Sequence, residues 1–200
     1  MSEAQPLPSI ALVVRHTVAD FDAWKAAFDA DEDRRRAASA VGHHINRAED
    51  NPNDLSVYIA ATDRAKAEAF TTSDELKGEM QAAGVTSVPE MTWMTPMREA
   101  VVWDRQLPAF LISHTVADFD SWLQAYNDAD DLRAAKGIIG HAANRSIDDP
   151  SVAVVYHQAE SFDTLRAFLG DPELGAVMEA AGVTSEPDVS FVTGGWGKQY

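Results

Sequence analysis

The chain has no cysteine, which excludes disulfides, thiolate metal sites and cysteine nucleophiles. Long apolar runs are also missing, and nothing approaches the roughly 18 consecutive apolar residues of a membrane span. Met1 to Ser9 carries neither the basic start nor the apolar stretch of a secretory signal and reads as a short loose leader. Positive charge is scarce: 16 Lys and Arg stand against 32 Asp and Glu, a formal net charge of −16. So acidic a surface repels nucleic acid and anionic lipid and favours solubility, so neither is expected as a partner and a cytoplasmic location is. Several catalytic signatures are absent: the Walker phosphate loop, the dinucleotide fingerprint, the His-Glu-x-x-His zinc helix and the Gly-x-Ser-x-Gly elbow. No metal and no built-in cofactor is predicted.

What the chain does have is a duplication. His16-Thr17-Val18-Ala19-Asp20-Phe21-Asp22 recurs without change at His114-Thr115-Val116-Ala117-Asp118-Phe119-Asp120. At the same spacing Trp24 matches Trp122, Gly42-His43 matches Gly140-His141, and Asn46-Arg47 matches Asn144-Arg145. Tyr58 matches Tyr156, and Ala82-Ala83-Gly84-Val85-Thr86-Ser87 matches Ala180-Ala181-Gly182-Val183-Thr184-Ser185. The period is far longer than the roughly 20–50 residues of a solenoid repeat, so each copy is a small domain.

Within a copy, Ile10 to Val14 is apolar and β-branched and reads as a strand. Asp20 is an N-cap, and Phe21, Trp24 and Phe28 follow at helical spacing. That helix is expected to run to about Ala40 and stop at Gly42. His43 to Ala48 and Leu55 to Ala61 read as a hairpin around Asp50-Asn51-Pro52. A broken helix follows, from Asp63 to about Thr72 and again from Ser73 to Gly84; in the second copy Asp171-Pro172 marks the restart. Met91 to Thr95 is the last strand. The order β-α-β-β-α-β is the ferredoxin-like unit. Its sheet has helices on one face only, so the other face needs cover, and a second copy supplies it sheet to sheet. The expected organisation is a first repeat over 8–96, a linker over 97–107 in which Val101-Val102-Trp103 adds an edge strand, a second repeat over 108–194 and a tail over 195–200.

The pattern resembles the dimeric α/β-barrel superfamily, which includes proteins like the antibiotic-biosynthesis monooxygenases. The resemblance rests on Val18-Ala19-Asp20-Phe21-Asp22-Ala23-Trp24-Lys25, on Asp50-Asn51-Pro52 and on Met80-Gln81-Ala82-Ala83-Gly84-Val85, repeated in the second copy. It implies an α+β fold of two ferredoxin-like units closed as a pseudo-two-fold barrel, hence a chain that needs no further dimerisation. It also implies a range of activities on small molecules. The expected function is a cofactor-independent monooxygenase, or a related enzyme, acting on a small aromatic or polyketide-like molecule. The alternatives are a non-catalytic binding or structural protein and a haem-binding member, for which His157, standing where the first copy has Ile59, is the odd candidate.

Strand alternation selects the candidate site residues. Leu12, Val14, Leu55, Val57 and Ile59 are the apolar set and are expected to face the helices. The opposite face then carries Arg15, His44, Asn46, Ser56 and Tyr58 in the first copy, and Ser113, Ala142, Asn144 and Tyr156 in the second. His44 is the candidate proton acceptor and Tyr58 the candidate donor to a developing oxyanion. Arg15, Asn46, Ser113, Asn144 and Tyr156 are candidate substrate-binding residues. His16, His43, His114 and His141 are expected to bond backbone at strand ends, with His16 and His43 at opposite ends of one copy. Trp24 and Trp122 read as core, while Trp93 and Phe191 are candidates to wall a pocket. The run Asp29-Asp31-Glu32-Asp33 and its partner Asp128-Asp130-Asp131 read as a solvated helix face, and the following Arg34-Arg35-Arg36 is expected to neutralise part of that charge at a helix C-terminal region.

Overall fold

A computed structural model describes residues 7–200; the leader expected over Met1–Ser9 lies outside it as far as Pro6. The first copy contributes β1 (Ile10–Thr17), α1 (Phe21–Ala30), α2 (Glu32–Ala37), β2 (Ala40–Ala48), β3 (Asp54–Ala61), α3 (Arg64–Thr71), α4 (Asp74–Ala82) and β4 (Glu90–Ala100). The second repeats the order with β5 (Leu107–Thr115), α5 (Phe119–Asp128), α6 (Asp130–Ala135), β6 (Ile138–Ser146), β7 (Val152–Ala159), α7 (Phe162–Leu169), α8 (Pro172–Ala180) and β8 (Asp188–Gln199). The fold is α+β. In the first unit β3 pairs with both β1 and β2, and in the second the strands are hydrogen-bonded in the order β8-β5-β7-β6-β4.

Two compact units make up the chain: residues up to Trp93 with Trp196–Tyr200, and Met94–Gly195. β4 extends five residues beyond the Thr95 expected from sequence. Its Arg98, Glu99 and Ala100 pair with Ala143, Ala142 and His141, after a register shift between Pro96 and Arg98. A proline is tolerated where the ladder is already interrupted. Val101-Val102-Trp103, expected to be an edge strand, is not one. Instead the Val102 N–H donates to Gln158 Oε1 at 2.8 Å, and Gln158 Nε2 donates to the Val102 carbonyl at 3.1 Å. The amide side chain takes the place of a neighbouring strand. Gly140 makes room for it, since a Cβ there would lie 2.1 Å from Gln158 Oε1.

The caps are where the sequence puts them. Asp20 Oδ1 accepts from Ala23 N at 2.8 Å and Asp118 Oδ1 from Ser121 N at 2.8 Å. Ser73 caps α4, and Asp171 caps α8 with Pro172 in its first turn. Such caps satisfy amides that have no partner inside the helix. The first helix ends earlier than expected. It breaks at Asp31, and α2 stops at Ala37 with Ser39 in the left-handed region at φ 72°. Gly42 lies in β2, not at a helix end. In the second copy the left-handed position is Gly137, at φ 83°.

Each unit has its own core between sheet and helices. In the first, Val18, Phe21, Trp24, Ile45, Leu55 and Val57 are buried together. In the second, Val116, Phe119, Trp122, Ala143 and Val155 do the same, joined by Tyr126. Among the described residues no helix is long and apolar enough to cross a membrane.

Candidate functional site

The register puts the sequence-selected residues on one face. Val13, Tyr58 and His44 form one cross-strand row, and Arg15, Ser56 and Asn46 another. His44, Asn46 and Ser56 are buried, while Arg15 and Tyr58 are half-buried. Burial holds His44 well below its ordinary pKa, at about 4, against a smaller opposing effect of a hydrogen bond with Asn46. Asn46 Nδ2 also donates to the Ser56 carbonyl at 3.2 Å, and Asn144 Nδ2 to the Val154 carbonyl at 3.3 Å. The asparagine common to both copies thus has a structural task in each. In the second unit Ser113 and Asn144 share a row through Val154. Tyr156 packs with Ala109, Leu111, Ala142 and Val192 in an apolar cluster, and its burial pushes the phenol pKa up.

Among the described residues each unit has a pocket on the other face, between sheet and helices. In the first unit a cavity of about 100 Å³ is walled by Val14, Val57 and Ile59 from the sheet and by Trp24, Phe28, Phe70, Leu76 and Met80 from the helices. Its second-unit counterpart measures about 60 Å³ and is walled by Ile112, Val155 and His157 with Trp122, Tyr126 and Phe168. Trp93 walls only a smaller void of about 20 Å³ beside the first, and Phe191 packs edge-on against Phe110.

Four ionisable side chains on the first cavity's wall set its chemistry. His16, at the end of β1, is 4 % exposed. Its ring lies 5.4 Å from that of Trp24, and neither ring nitrogen makes a hydrogen bond of good geometry. Burial lowers its pKa to about 4; the Val14 backbone pulls weakly the other way. It is therefore a neutral imidazole at pH 7, with one N–H to donate and one lone pair to accept. His114 repeats the arrangement against Trp122 at 5.5 Å. His114 has no backbone partner, contrary to the expectation, while His16 feels only the weak hydrogen-bonding effect of the Val14 backbone. The other pair finds tyrosine instead: His43 Nδ1 meets the Tyr200 hydroxyl at 2.8 Å, and His141 Nδ1 the Tyr126 hydroxyl at 2.9 Å. His16 and His43 do stand at opposite ends of the sheet, in rows four residues apart along β1.

Arg35 is the second group, and it is only 3 % exposed. It does not belong to a solvated face. Its guanidinium stacks 3.6 Å from the Phe28 ring centre, Nε donates to the Tyr200 hydroxyl at 3.0 Å, and Nη1 donates to the Phe28 carbonyl. Asp31 and Glu79 are the remaining two. Both are held by Arg34, Asp31 at 3.2 Å and Glu79 in a closer ion pair. Desolvation raises the Asp31 pKa despite Arg34. The sequence held a signal for Arg35 that was not used: of Arg34, Arg35 and Arg36, it alone recurs one period later, as Arg133 beside Leu132 and Ala134.

The residues around His157 do not fit haem. The ring is buried with Phe110 at 4.9 Å, Phe168 at 5.5 Å, Tyr126 at 6.0 Å and His141 at 6.2 Å. The adjoining space of about 60 Å³ is less than half of the ~150 Å³ that holds a single benzene ring, far from room for a macrocycle.

No protein-family model matches the sequence, and no curated protein sequence matches it. Solved structures do match. A protein from Lactobacillus acidophilus NCFM, provisionally assigned as a monooxygenase, is 14 % identical, covers 97 % of each chain and has a TM-score of 0.66. An anthrone oxidase-like protein is 11 % identical over 95 % of this chain and 92 % of its own, with a TM-score of 0.68. A ferredoxin-fold protein from Listeria monocytogenes, related to antibiotic biosynthesis monooxygenases, is 9 % identical over 92 % and 94 %, with a TM-score of 0.51. The chain has the ferredoxin-like α+β fold of these monooxygenase-related proteins, with the unit present twice in tandem.

Proposed function

We propose that the chain is a small-molecule enzyme of the cofactor-independent monooxygenase type, working in the first unit's cavity on a small aromatic or polyketide-like molecule. One observation carries this reading: an apolar pocket walled by Trp24, Phe28 and Phe70, with the buried imidazole of His16 on its wall. Cavities lined by apolar side chains with a few convergent polar groups are the usual form of a binding site. Size limits the substrate. An apolar cavity of ~150 Å³ holds benzene, so about 100 Å³ falls short of one ring as it stands, and even a one-ring substrate requires the wall to yield. Leu76, Met80 and Met91 are the wall residues that would give way, methionine being readily repacked.

An activated aromatic substrate reacts with oxygen after losing a proton. An imidazole with a pKa of about 4 is a weak acceptor for a phenol, whose ordinary pKa is ~10. In this reading the substrate gives its proton to solvent and enters as the anion, His16 orients it by hydrogen bonding, and the negative charge is met elsewhere on the wall. A second placement of the acid–base pair, on His44 and Tyr58, is supported by their shared row. Arg15 and Asn46 would then bind substrate beside them, with Ser113, Asn144 and Tyr156 serving the second unit.

Oxygen uptake with a panel of one-ring and two-ring phenols and anthrone tests the proposal. Turnover should appear with at least one compound, and His16→Ala should lower it ~10²-fold while His44→Ala leaves it within about twofold. The reverse outcome moves the reaction to the His44 face. Binding without oxygen uptake by any compound would make the protein a non-catalytic binder.

A further inference from the structure

We propose that the first unit's cavity selects small apolar molecules bearing an anionic oxygen, a carboxylate or an ionised phenol or enol, which pairs with the Arg35 guanidinium. The inference rests on reading that cavity as a ligand site, and it names the ligand's chemical class.

The two copies provide the comparison. In the second unit Arg133 is charge-compensated: its Nη2 reaches Asp130 Oδ1 at 2.5 Å and the Tyr126 carbonyl at 2.6 Å. Asp130 also binds Arg98, so carboxylate and guanidiniums form a closed set. In the first unit the residue one period before Asp130 is Glu32. Its carboxylate goes to Lys198 at 2.5 Å and Arg36 at 3.6 Å, not to Arg35. Asp31 and Glu79, the acids on the cavity wall, are engaged by Arg34. Among the described residues no carboxylate forms an ion pair with Arg35, and its Nη2 is buried without a hydrogen-bond partner.

A guanidinium taken out of water with no carboxylate in contact and without full hydrogen bonding is costly to the folded chain. Its partners here are neutral: a carbonyl, a hydroxyl and a ring face. The field of the cation is felt nearby: Arg35 is among the causes that depress the His43 pKa, after desolvation, and it acts at longer range on the Asp31 and Glu32 carboxylates. An anionic oxygen brought against Arg35 would make a charge-assisted hydrogen bond of the stronger kind. Neutral His16 on the same wall adds a donor without adding a competing charge. The second cavity offers no such group. Where the first has Asp31 and Glu79, it has Ala129 and Val177, and its arginine is already paired.

Benzoate and its neutral isostere benzamide test this by calorimetric titration of the full chain at pH 7. Benzoate should bind at least tenfold more tightly than benzamide. Arg35→Gln should remove that preference while leaving benzamide affinity within about twofold, and Arg133→Gln should leave the preference intact. If both compounds bind equally to the wild type, the anion proposal is overturned and the cavity remains a ligand site. If neither benzamide nor benzoate binds, while larger aromatics also fail, the reading of the cavity as a ligand site is overturned as well. Should Arg35→Gln not fold, Arg35→Lys keeps the charge and removes the fork; it should retain a reduced preference, and an unchanged one would contradict pairing through the guanidinium.

Discussion

The Tyr200 hydroxyl stands 2.8 Å from His43 Nδ1, doing for the first unit what the Tyr126 hydroxyl does for His141 at 2.9 Å in the second. The two tyrosines come from unrelated places. Tyr126 lies on α5, and its counterpart one period earlier is Phe28, which has no hydroxyl to offer. Tyr200 lies just beyond β8 and is anchored by its own N–H to the Val41 carbonyl. The buried imidazole is thus satisfied in both copies by different routes.

Tyr200→Phe should therefore destabilise the chain by about 1–2 kcal/mol, since it leaves His43 Nδ1 and Arg35 Nε without their shared partner. Adding Phe28→Tyr rebuilds the arrangement of the second unit and should recover part of the loss. Urea unfolding of wild type, both single variants and the double variant measures this. Additive effects would show that the two hydroxyls do not substitute for one another.

How much of this was legible in advance depends on which physical signal each feature carries. Helix starts were readable because Asp20, Asp63, Ser73 and Asp171 act locally, through their own side chains on amides two or three residues away. The strand faces were readable because alternation and the hairpin fix register. The length of β4 was not, because Pro96 and the charged Arg98-Glu99 read as a linker, while the pairing that keeps them extended comes from β6. The cavity was not readable either. Alternation tells which residues share a face, but whether that face is filled depends on how side chains from α1, α3 and α4 meet it. Arg35 was hidden for a related reason: local composition placed it in a charged run, and only its recurrence as Arg133 sets it apart.

Stability should fall on mild acidification. His16, His43, His44, His114 and His141 all have pKa values lowered to about 4, and His157 lies well below its ordinary value; desolvation is the largest cause in every case. Below the ordinary 6.5 the unfolded chain takes up protons that the folded chain refuses. The contribution is fully present above about pH 6.5 and is lost as pH falls towards 4. Each such histidine adds up to ~1.4 kcal/mol per pH unit to the slope. Melting temperatures between pH 7.5 and 4.5 should drop steadily through that window. His157→Ile, which installs the residue found at Ile59, should shallow the drop; an unchanged profile in that variant would mean His157 is not titrating on unfolding.

Ser39 and Gly137 occupy the same left-handed position after α2 and α6, at φ 72° and 83°. A non-glycine residue there costs roughly 1–2 kcal/mol in backbone sterics. Ser39 offsets it with its hydroxyl, which donates to the Asp63 carbonyl at 3.0 Å and accepts from Asp63 N at 3.1 Å. That pair of bonds ties the end of α2 to the start of α3. Ser39→Ala keeps the strain and loses both bonds, so it should cost about 1–2 kcal/mol. Ser39→Gly loses the bonds but releases the strain, so it should stay within about 1 kcal/mol of wild type. Gly137→Ala introduces strain without compensation, and its Cβ would lie 3.0 Å from Thr164 Cγ2. It should be destabilising by about 1–2 kcal/mol. Chemical denaturation of the three variants orders them directly. Equal losses for Ser39→Ala and Ser39→Gly would show that the hydroxyl, not the backbone angle, governs this turn.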